Sequence, residues 1–564
     1  MNKAGFLHIP DSRYCFAISD KEVVIRLRVA KEDRDLAISL VYGNKYTYHE
    51  QQEEVSLEPR FVDSYHAYYD VRLKLTDVRL TYVFKVQDGE KSWYYHENGF
   101  SKHYDFADAF YNCFQLPYIN PIDVHRVVDW VDSAVFYQIF VDRFYRGDAE
   151  KDDTYINMAW TDRPLPKSFA GGDLEGIRQK LHYLKDLGIN TIYLTPIFSS
   201  ISNHKYDIRD YYDVDKQFGS KLSLKQLIED IHELDMKIIL DAVYNHSSDL
   251  LPEFQDVIKN GKDSSYFDWF MIDGETVDQK AINYETFAAC SYMPKFNTSN
   301  LEVQDYLLDV TLYWTREFQL DGWRLDVSDE VSHDFWRRFR KAVKAVNPNI
   351  IIIGENWHDA YPYLQGDQYD GIMNYAFTKA CLDYFAAETL SSQEMAERLN
   401  HILMRNTEQV NRMNLNLLDS HDTHRFFTQI GGSRDKLLAA VALLFTFIGI
   451  PCLYYGTEIA MEGGYDPDCR RGFNWNEDEW NQDLMSVIKK IIALKQLPVI
   501  QKGDIFISST GNFLSIQRSW QGTRIELLIN KGEEVEVSTE GVIVSNGLSN
   551  QCLKTNGFKV CLNL

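Results

Sequence analysis

The chain changes its hydrophobic rhythm twice. Through residues 1–125, apolar and polar positions alternate in short runs. EVVIRLRVA (22–30) sets Ile25, Leu27 and Val29 against Arg26 and Arg28, and DLAISLVYG, HAYYDVRLKL and LTYVFKVQ follow at turn-like intervals. A period of two with regular turns predicts an N-terminal β-sandwich. QLPYINPIDVHRVVDW (115–130) has prolines and no clear period, and reads as a linker. From 126 to 499, short apolar strands alternate with amphipathic helices. The strands are VFYQIF (135–140), NTIYLTPIF (190–198), KIILDAVYNH (237–246), DGWRLDV (321–327), NIIIIGEN (349–356), YDGIMNYAF (369–377), LNLLDSHD (415–422) and IPCLYYG (450–456). Parallel strands covered on both faces read as unbroken apolar runs, and eight β/α units in series predict an α/β fold, a (β/α)8 TIM barrel. Residues 247–299, after the third strand, are too many for a loop and predict an inserted subdomain. The helix LEVQDYLLDVTLYWTREF (301–318) starts with Ser299 and Glu302 in capping-box spacing. NFLSIQRSW, RIELLIN and GVIVSNG in residues 500–564 predict a small C-terminal β-domain.

In such a barrel the chemistry sits at the C-terminal strand ends. The polar residues there are Asn245 and His246 after strand three, Arg324 and Asp326 on strand four, Glu355 after strand five, and His421 and Asp422 after strand seven. In FQLDGWRLDVSDE (318–330), Trp323, Leu325 and Val327 alternate with Gly322, Arg324, Asp326 and Ser328. One strand face therefore carries both a base and an acid, which is costly to bury unless they are paired or used. Two carboxylates in contrasting environments are what glycoside hydrolysis requires. Arg324, two residues from Asp326, is expected to keep that carboxylate ionised as the nucleophile. Glu355, after IIII and Gly354 and before Trp357, is expected in an apolar setting that suits a general acid/base. Asp241 lies deeper on its strand and is assigned, with Asn245, to structural support. Asp321, Asp329 and Glu330 are read as turn or cap residues.

Composition narrows the partners. A net charge of −24 disfavours nucleic acid and anionic membrane and leaves neutral substrates open. Aromatics at 14% read either as filling for cores and accessory β-domains or as exposed rings that stack on apolar ligand faces such as those of sugars. The amino-terminal residues lack a signal-peptide apolar stretch and no 18-residue apolar span occurs. The nearest, LLAAVALLFTFIGIPCLYYG (437–456), reads as a buried helix running into a strand. Eight scattered cysteines without metal spacing are expected as free thiols, and the cytoplasm follows as the expected location.

DAVYNH, GWRLDV, GEN and LLDSHD, in this order, resemble the four core regions of the α-amylase family of glycoside hydrolases. MPKFN (293–297), GGDLEGI (171–177), HKYDIRDYYDVDKQFG and GGYDPDCRRGFNWN resemble its cyclomaltodextrinase, neopullulanase and maltogenic amylase branch. The resemblance implies a retaining hydrolase of α-1,4 glucosidic bonds in cyclomaltodextrins and maltooligosaccharides, with α-1,6 bonds and pullulan as further candidate targets and transglycosylation as a side activity. Asp326 is then the nucleophile, Glu355 the acid/base and Asp422 the third acid. Tyr206 stacks on the sugar, with His246, Arg324 and His421 around it; Asp466 and Arg470 hold the next sugar; Trp357, Met373 and Tyr375 line the leaving-group side. It also implies a homodimer through the N-terminal domain. A dedicated transferase or isomerase, and a non-catalytic glycan-binding relative, are the alternatives. No cofactor is required. Many branch members bind calcium after the first strand; here RFYRGDAEKDD (143–153) has Arg146 and Lys151 where two oxygen ligands would stand, leaving Asp148, Asp152, Gly172 and Asp173 as ligands for calcium. A cation side chain in that place can substitute for the ion.

Overall fold

A computed structural model describes residues 1–563. Strands Phe136–Ile139 (β1), Thr191–Leu194 (β2), Lys237–Ala242 (β3), Gly322–Leu325 (β4), Ile351–Gly354 (β5), Gly371–Ile372 (β6), Leu415–Leu417 (β7) and Ile450–Tyr454 (β8) form one parallel sheet. Its order is β6-β5-β4-β3-β2-β1-β8-β7. A parallel bridge between Met373 and Leu415 joins the two ends, so the sheet closes as a barrel. The alternation in β4 sorts its residues as expected. Trp323 and Leu325 belong to the cluster under the outer helices, and Trp323 donates to Thr315 Oγ1 at 3.0 Å. Gly322 points inward, where an added Cβ would lie 2.5 Å from Ile239 and 2.6 Å from Ile351 side-chain carbons. Only glycine leaves room for the two isoleucines that fill the barrel floor.

The strands are shorter than their apolar runs. β4 ends at Leu325, so Asp326 stands just beyond it, and the predicted sixth strand keeps two residues before Tyr375–Cys381 turns helical. Helix Leu301–Glu317 is capped by Asn300, not Ser299: Asn300 Oδ1 accepts from Glu302 N at 2.8 Å. Residues 247–299 make a subdomain with one α-helix, Pro252–Asn260, two 3-10 turns, and isolated bridges such as Phe270 to Phe296. The apolar stretch at 437–456 becomes buried helix Arg434–Thr446 and strand β8. Among the described residues no helix is long and apolar enough to cross a membrane. All eight cysteines are free thiols.

At the N-terminus, antiparallel strands Cys15–Ser19, Glu22–Ala30, His66–Lys74 and Glu53–Val62 continue into Ala37–Gly43, Leu80–Asp88, Lys91–His96 and Gly99–Ser101. The supposedly polar face of Glu22–Ala30 is not exposed. Arg26 is buried against the barrel, donating to Arg13 O and Asn406 O at 3.1 and 3.3 Å. Docking of a second domain thus turns a solvent face into an interface. Six strands from Asp504 to Asn563 form the C-terminal sheet, packed on helix Arg434–Thr446.

Candidate active site

Barrel register sets Arg324 level with Asp241 on β3 and Ile353 on β5. Its Nη1 donates to both oxygens of Asp241 at 2.9 and 3.0 Å and to Asp326 Oδ1 at 2.7 Å. Its Nη2 lies 2.8 Å from Glu355 Oε2, and Nε points to Met373 Sδ at 3.4 Å. One planar fork therefore serves three buried carboxylates, a task its fixed geometry suits and an ammonium cannot copy. Directly after Asp326 the chain turns at Val327, whose φ of 43° is a strained left-handed conformation for a β-branched residue. The turn aims the Val327 N–H at Glu355 Oε2, 2.9 Å away. Gly354 lets this happen: a Cβ there would lie 2.5 Å from the Tyr369 ring and 3.0 Å from Ser328 Oγ.

The electrostatics correct the sequence reading. Burial raises Asp326 well above the usual carboxylate range; Arg324 opposes this, while Glu355 and Asp241 add to it. Asp241 is likewise raised by burial, to about 6, against the pull of Arg324. Asp326 does not have that guanidinium to itself, since Asp241 and Glu355 share it. Nor is Glu355 in an apolar setting, since Val327 N–H, the Arg324 fork and Trp357 Nε1 (3.2 Å from Oε1) all face it. The physical reason is register: β3, β4 and β5 bring three carboxylates to one cation, whatever flanks each in sequence. Burial and mutual repulsion oppose the charged forms of Asp326 and Asp241, and Arg324 favours them.

Around this cluster stands a set of neutral rings. Gln138 Nε2 donates to His421 Nδ1 at 2.8 Å, leaving the ring proton on Nε2, which faces Tyr206 Oη (2.6 Å) and Asp422 Oδ2 (3.2 Å). Tyr206 in turn donates to Asp241 Oδ2 at 3.0 Å and stacks on His421 at an interplanar angle of 4°. His246 stacks on Phe287, and its buried Nε2 has no protein partner. Asp326 Oδ2 is likewise buried and without a partner. Arg470 ties Asp422 (3.4 Å) to Asp466 (2.9 Å) and donates from Nε to His421 O at 2.8 Å. Burial raises Asp422, with Arg470 and Arg324 opposing.

A cleft of about 1000 Å³ opens over these groups. Tyr206, His246, Asp326, Glu355, Trp357, Asp422, Asp466 and Arg470 line it. Arg324 and His421 stand behind them, holding rather than lining. Met373 and Tyr375 are corrected from lining residues to supports: Met373 is buried against Arg324, and Tyr375 lies beneath the exposed ring of Trp357, stacked at 3.6 Å. The expected calcium ligands do not converge. Asp148 and Asp152 accept from the Glu150 and Thr154 amides, Gly172 N donates to Asp142 O, and Asp173 caps helix Leu174–Gln179. No cluster of three or more metal-ligating side chains forms among the described residues. The reason is the basic side chain: Lys151 Nζ lies 2.8 Å from Asp173 Oδ2.

Sequence reading missed Gln138, Tyr193, His204 and Phe287. Gln138 on β1 reaches His421 Nδ1 at 2.8 Å and Tyr193 on β2 donates to Asp241 Oδ2 at 2.9 Å, polar groups on buried strands that a period-two reading of each strand could have raised. His204 and Phe287 come from loops and gave no pattern.

Burial lowers His246 and His204 to about 3 and His8 to about 4, and holds His421 well below its ordinary value. The unfolded chain binds these protons near pH 6.5 while the native protein does not. Each ring therefore contributes stability that is full above about pH 6.5 and is lost on acidification, by up to about 1.4 kcal/mol per pH unit. We expect His246→Gln to flatten the fall in Tm between pH 7 and pH 5 relative to wild type. Parallel Tm profiles for the two proteins would refute this.

Comparison with known proteins agrees with the geometry. Residues 138–496 match the "Alpha amylase, catalytic domain" family and residues 1–120 the "Alpha amylase, N-terminal ig-like domain". The chain is 40% identical over 591 aligned positions to the maltogenic alpha-amylase of Bacillus acidopullulyticus, covering 99% of this chain and 100% of that one. It is 39% identical to the cyclomaltodextrinase of Geobacillus thermopakistaniensis (strain MAS1), covering 100% and 98%. A solved cyclomaltodextrinase structure superposes with a TM-score of 0.92 at 35% identity, over 100% of both chains. With a family model spanning residues 138–496 and full-length relatives at about 40% identity on a closed β/α barrel, the chain belongs to the α-amylase family.

Proposed function

We propose that the protein hydrolyses α-1,4-glucosidic bonds in cyclomaltodextrins and maltooligosaccharides with retention of configuration, accepting α-1,6 branch points and pullulan, and transfers glycosyl groups to sugar acceptors as a side activity. The observation that carries this reading is the pair Asp326 and Glu355 on one guanidinium, with Asp326 Oδ2 buried, unpartnered and at the cleft. A carboxylate oxygen with no donor of its own is free to attack an anomeric carbon. In the first step Asp326 Oδ2 forms a bond to that carbon while Glu355 gives its proton to the departing glycosidic oxygen. In the second, Glu355 takes a proton from water, whose oxygen displaces Asp326. A sugar hydroxyl in place of that water gives transfer. Asp422, braced by Arg470, grips hydroxyls of the distorted ring; Tyr206 supplies a face for stacking, and His246 Nε2 a hydrogen-bonding edge. Trp357, rigid on Tyr375, supports the leaving-group sugar. Several neutral hydrogen-bonding groups and few net cations at the cleft suit an uncharged glycan.

The test is incubation with cyclomaltoheptaose, pullulan and starch, following the products and the anomer first released. Maltose-sized products bearing the α-anomer are expected, with cyclomaltoheptaose consumed fastest. A β-anomer as first product, or inertness toward all three, would overturn the reading. A homodimer through the N-terminal domain is part of it: Phe110, Tyr111, Tyr118 and Ile122 leave apolar surface exposed there. Sedimentation at micromolar concentration giving a monomer would remove that part. A cytoplasmic location accords with eight free thiols.

A further inference from the structure

Another cation with a largely buried side chain lies outside the cleft. Lys151 is 7% exposed, and its Nζ meets three oxygens: Gly171 O at 2.5 Å, Gln217 O at 3.1 Å and Asp173 Oδ2 at 2.8 Å. An ammonium has three N–H donors, so all are used. The cage it fills is of the kind a hard cation selects, two carbonyls and a carboxylate from the 171–173 stretch and from Gln217. Asp173 itself is almost fully buried and also accepts from Gly147, Gly176 and Asp148 amides at 3.0, 2.7 and 3.2 Å. A carboxylate so enclosed needs a positive partner, and among the described residues no other cation reaches it. Gly171 turns its carbonyl inward with a φ of 88°, while its N–H is held by Asp142 Oδ1 at 3.0 Å.

The cage also connects to the cleft. Gln217 gives its backbone carbonyl to Lys151 and its side-chain oxygen to Lys205. Lys205 is fully buried, pairs with Asp215 at 3.2 Å, and stands in a left-handed turn immediately before Tyr206. Two ammonium groups thus brace the loop at 145–153, the helix cap Asp173 and the segment that presents the Tyr206 ring.

We propose that Lys151 is a resident counter-ion that occupies the place of a metal ion, making this region independent of calcium. The residues that would hold calcium do not fit it here, because the oxygens that face the cage are saturated by the ammonium and Asp148 and Asp152 are turned to backbone amides. The substitution is a trade of one charge-bearing group for another: a covalently attached monovalent cation cannot be removed by a chelator.

Differential scanning calorimetry and titration calorimetry with calcium chloride test this on the full chain after dialysis against EDTA. Wild type is expected to take up no calcium and to keep one Tm in EDTA and in millimolar calcium. Lys151→Met, which keeps the stem and removes the charge, is expected to melt several degrees lower in EDTA and to recover with calcium; terbium luminescence sensitised by Tyr155, whose ring lies 5.9 Å from Nζ, reports the ion in the vacated cage. Uptake of one calcium per wild-type chain, or a calcium-raised wild-type Tm, would overturn the proposal, and these wild-type measurements decide it even if the variant fails to fold. A Lys151→Met protein as stable as wild type in EDTA, or one that loses stability and answers to no cation, would overturn it too.

Discussion

Glu355→Gln lowers kcat/KM on cyclomaltoheptaose by about 10²–10⁴-fold, the range general acid/base catalysis supplies, while leaving the fold intact. Glutamine keeps an oxygen for the Val327 N–H but has no proton to give the leaving oxygen. The same variant should lose far less in the first step on α-maltosyl fluoride, because fluoride departs without protonation. Asp326→Asn abolishes turnover on both substrates, since neither can proceed without a nucleophile. This pairing separates acid/base loss from misplacement of substrate. Equal losses on cyclomaltoheptaose and on the fluoride in Glu355→Gln would assign Glu355 to binding rather than to proton transfer.

Arg324→Met removes the only group that joins Asp241, Asp326 and Glu355. Deleting one partner of a buried ion pair costs about 3–5 kcal/mol, and here three acids lose the same cation. The sign of the pH dependence follows from the raised acids. A carboxylate whose folded pKa exceeds its unfolded value binds a proton in the native state that the unfolded chain has released. Stability therefore falls as pH rises from about 4 toward the folded pKa, which for Asp241 is already about 6 with Arg324 present. Without Arg324 that window extends upward, so the variant's Tm deficit is larger at pH 7.5 than at pH 5. Urea unfolding at the two pH values measures it. Wild-type stability at pH 7.5 would mean that the guanidinium is not what holds the three acids. Arg324→Lys is expected to recover part of the stability and little of the activity, because one ammonium cannot present two parallel edges.

Much of this site was legible along the chain. The period-two alternation in FQLDGWRLDVSDE correctly sent Trp323 and Leu325 outward and Arg324 inward. Burial on both faces makes barrel strands read as apolar runs, so a polar residue at the end of such a run stands out, and that found Asp326, Glu355, His421 and Asp422. The alternation failed at Arg26, where a docked barrel replaced water, and it overextended β6, where Tyr375–Cys381 begins a helix. Flanking residues also misled. IIII and Gly354 before Glu355 suggested an apolar pocket, but those isoleucines pack the barrel while the carboxyl, one step beyond, meets three donors.

The sequence by itself determined which residues stand at the strand ends and which face each strand buries, because those depend on local period and on backbone geometry a few residues long. Only the tertiary structure decided what each group meets there. Arg324 reaches Asp241 across 83 residues, Tyr206 reaches His421 across 215, and Lys151 reaches Gln217 across 66. Closure of the barrel sets those distances, and with them the sharing of one guanidinium among three acids, the neutral rings around Asp326 and the cation that fills the Asp173 cage. Proton affinity depends on burial and on charges a few ångströms away in space, and neither is a property of neighbours in the chain.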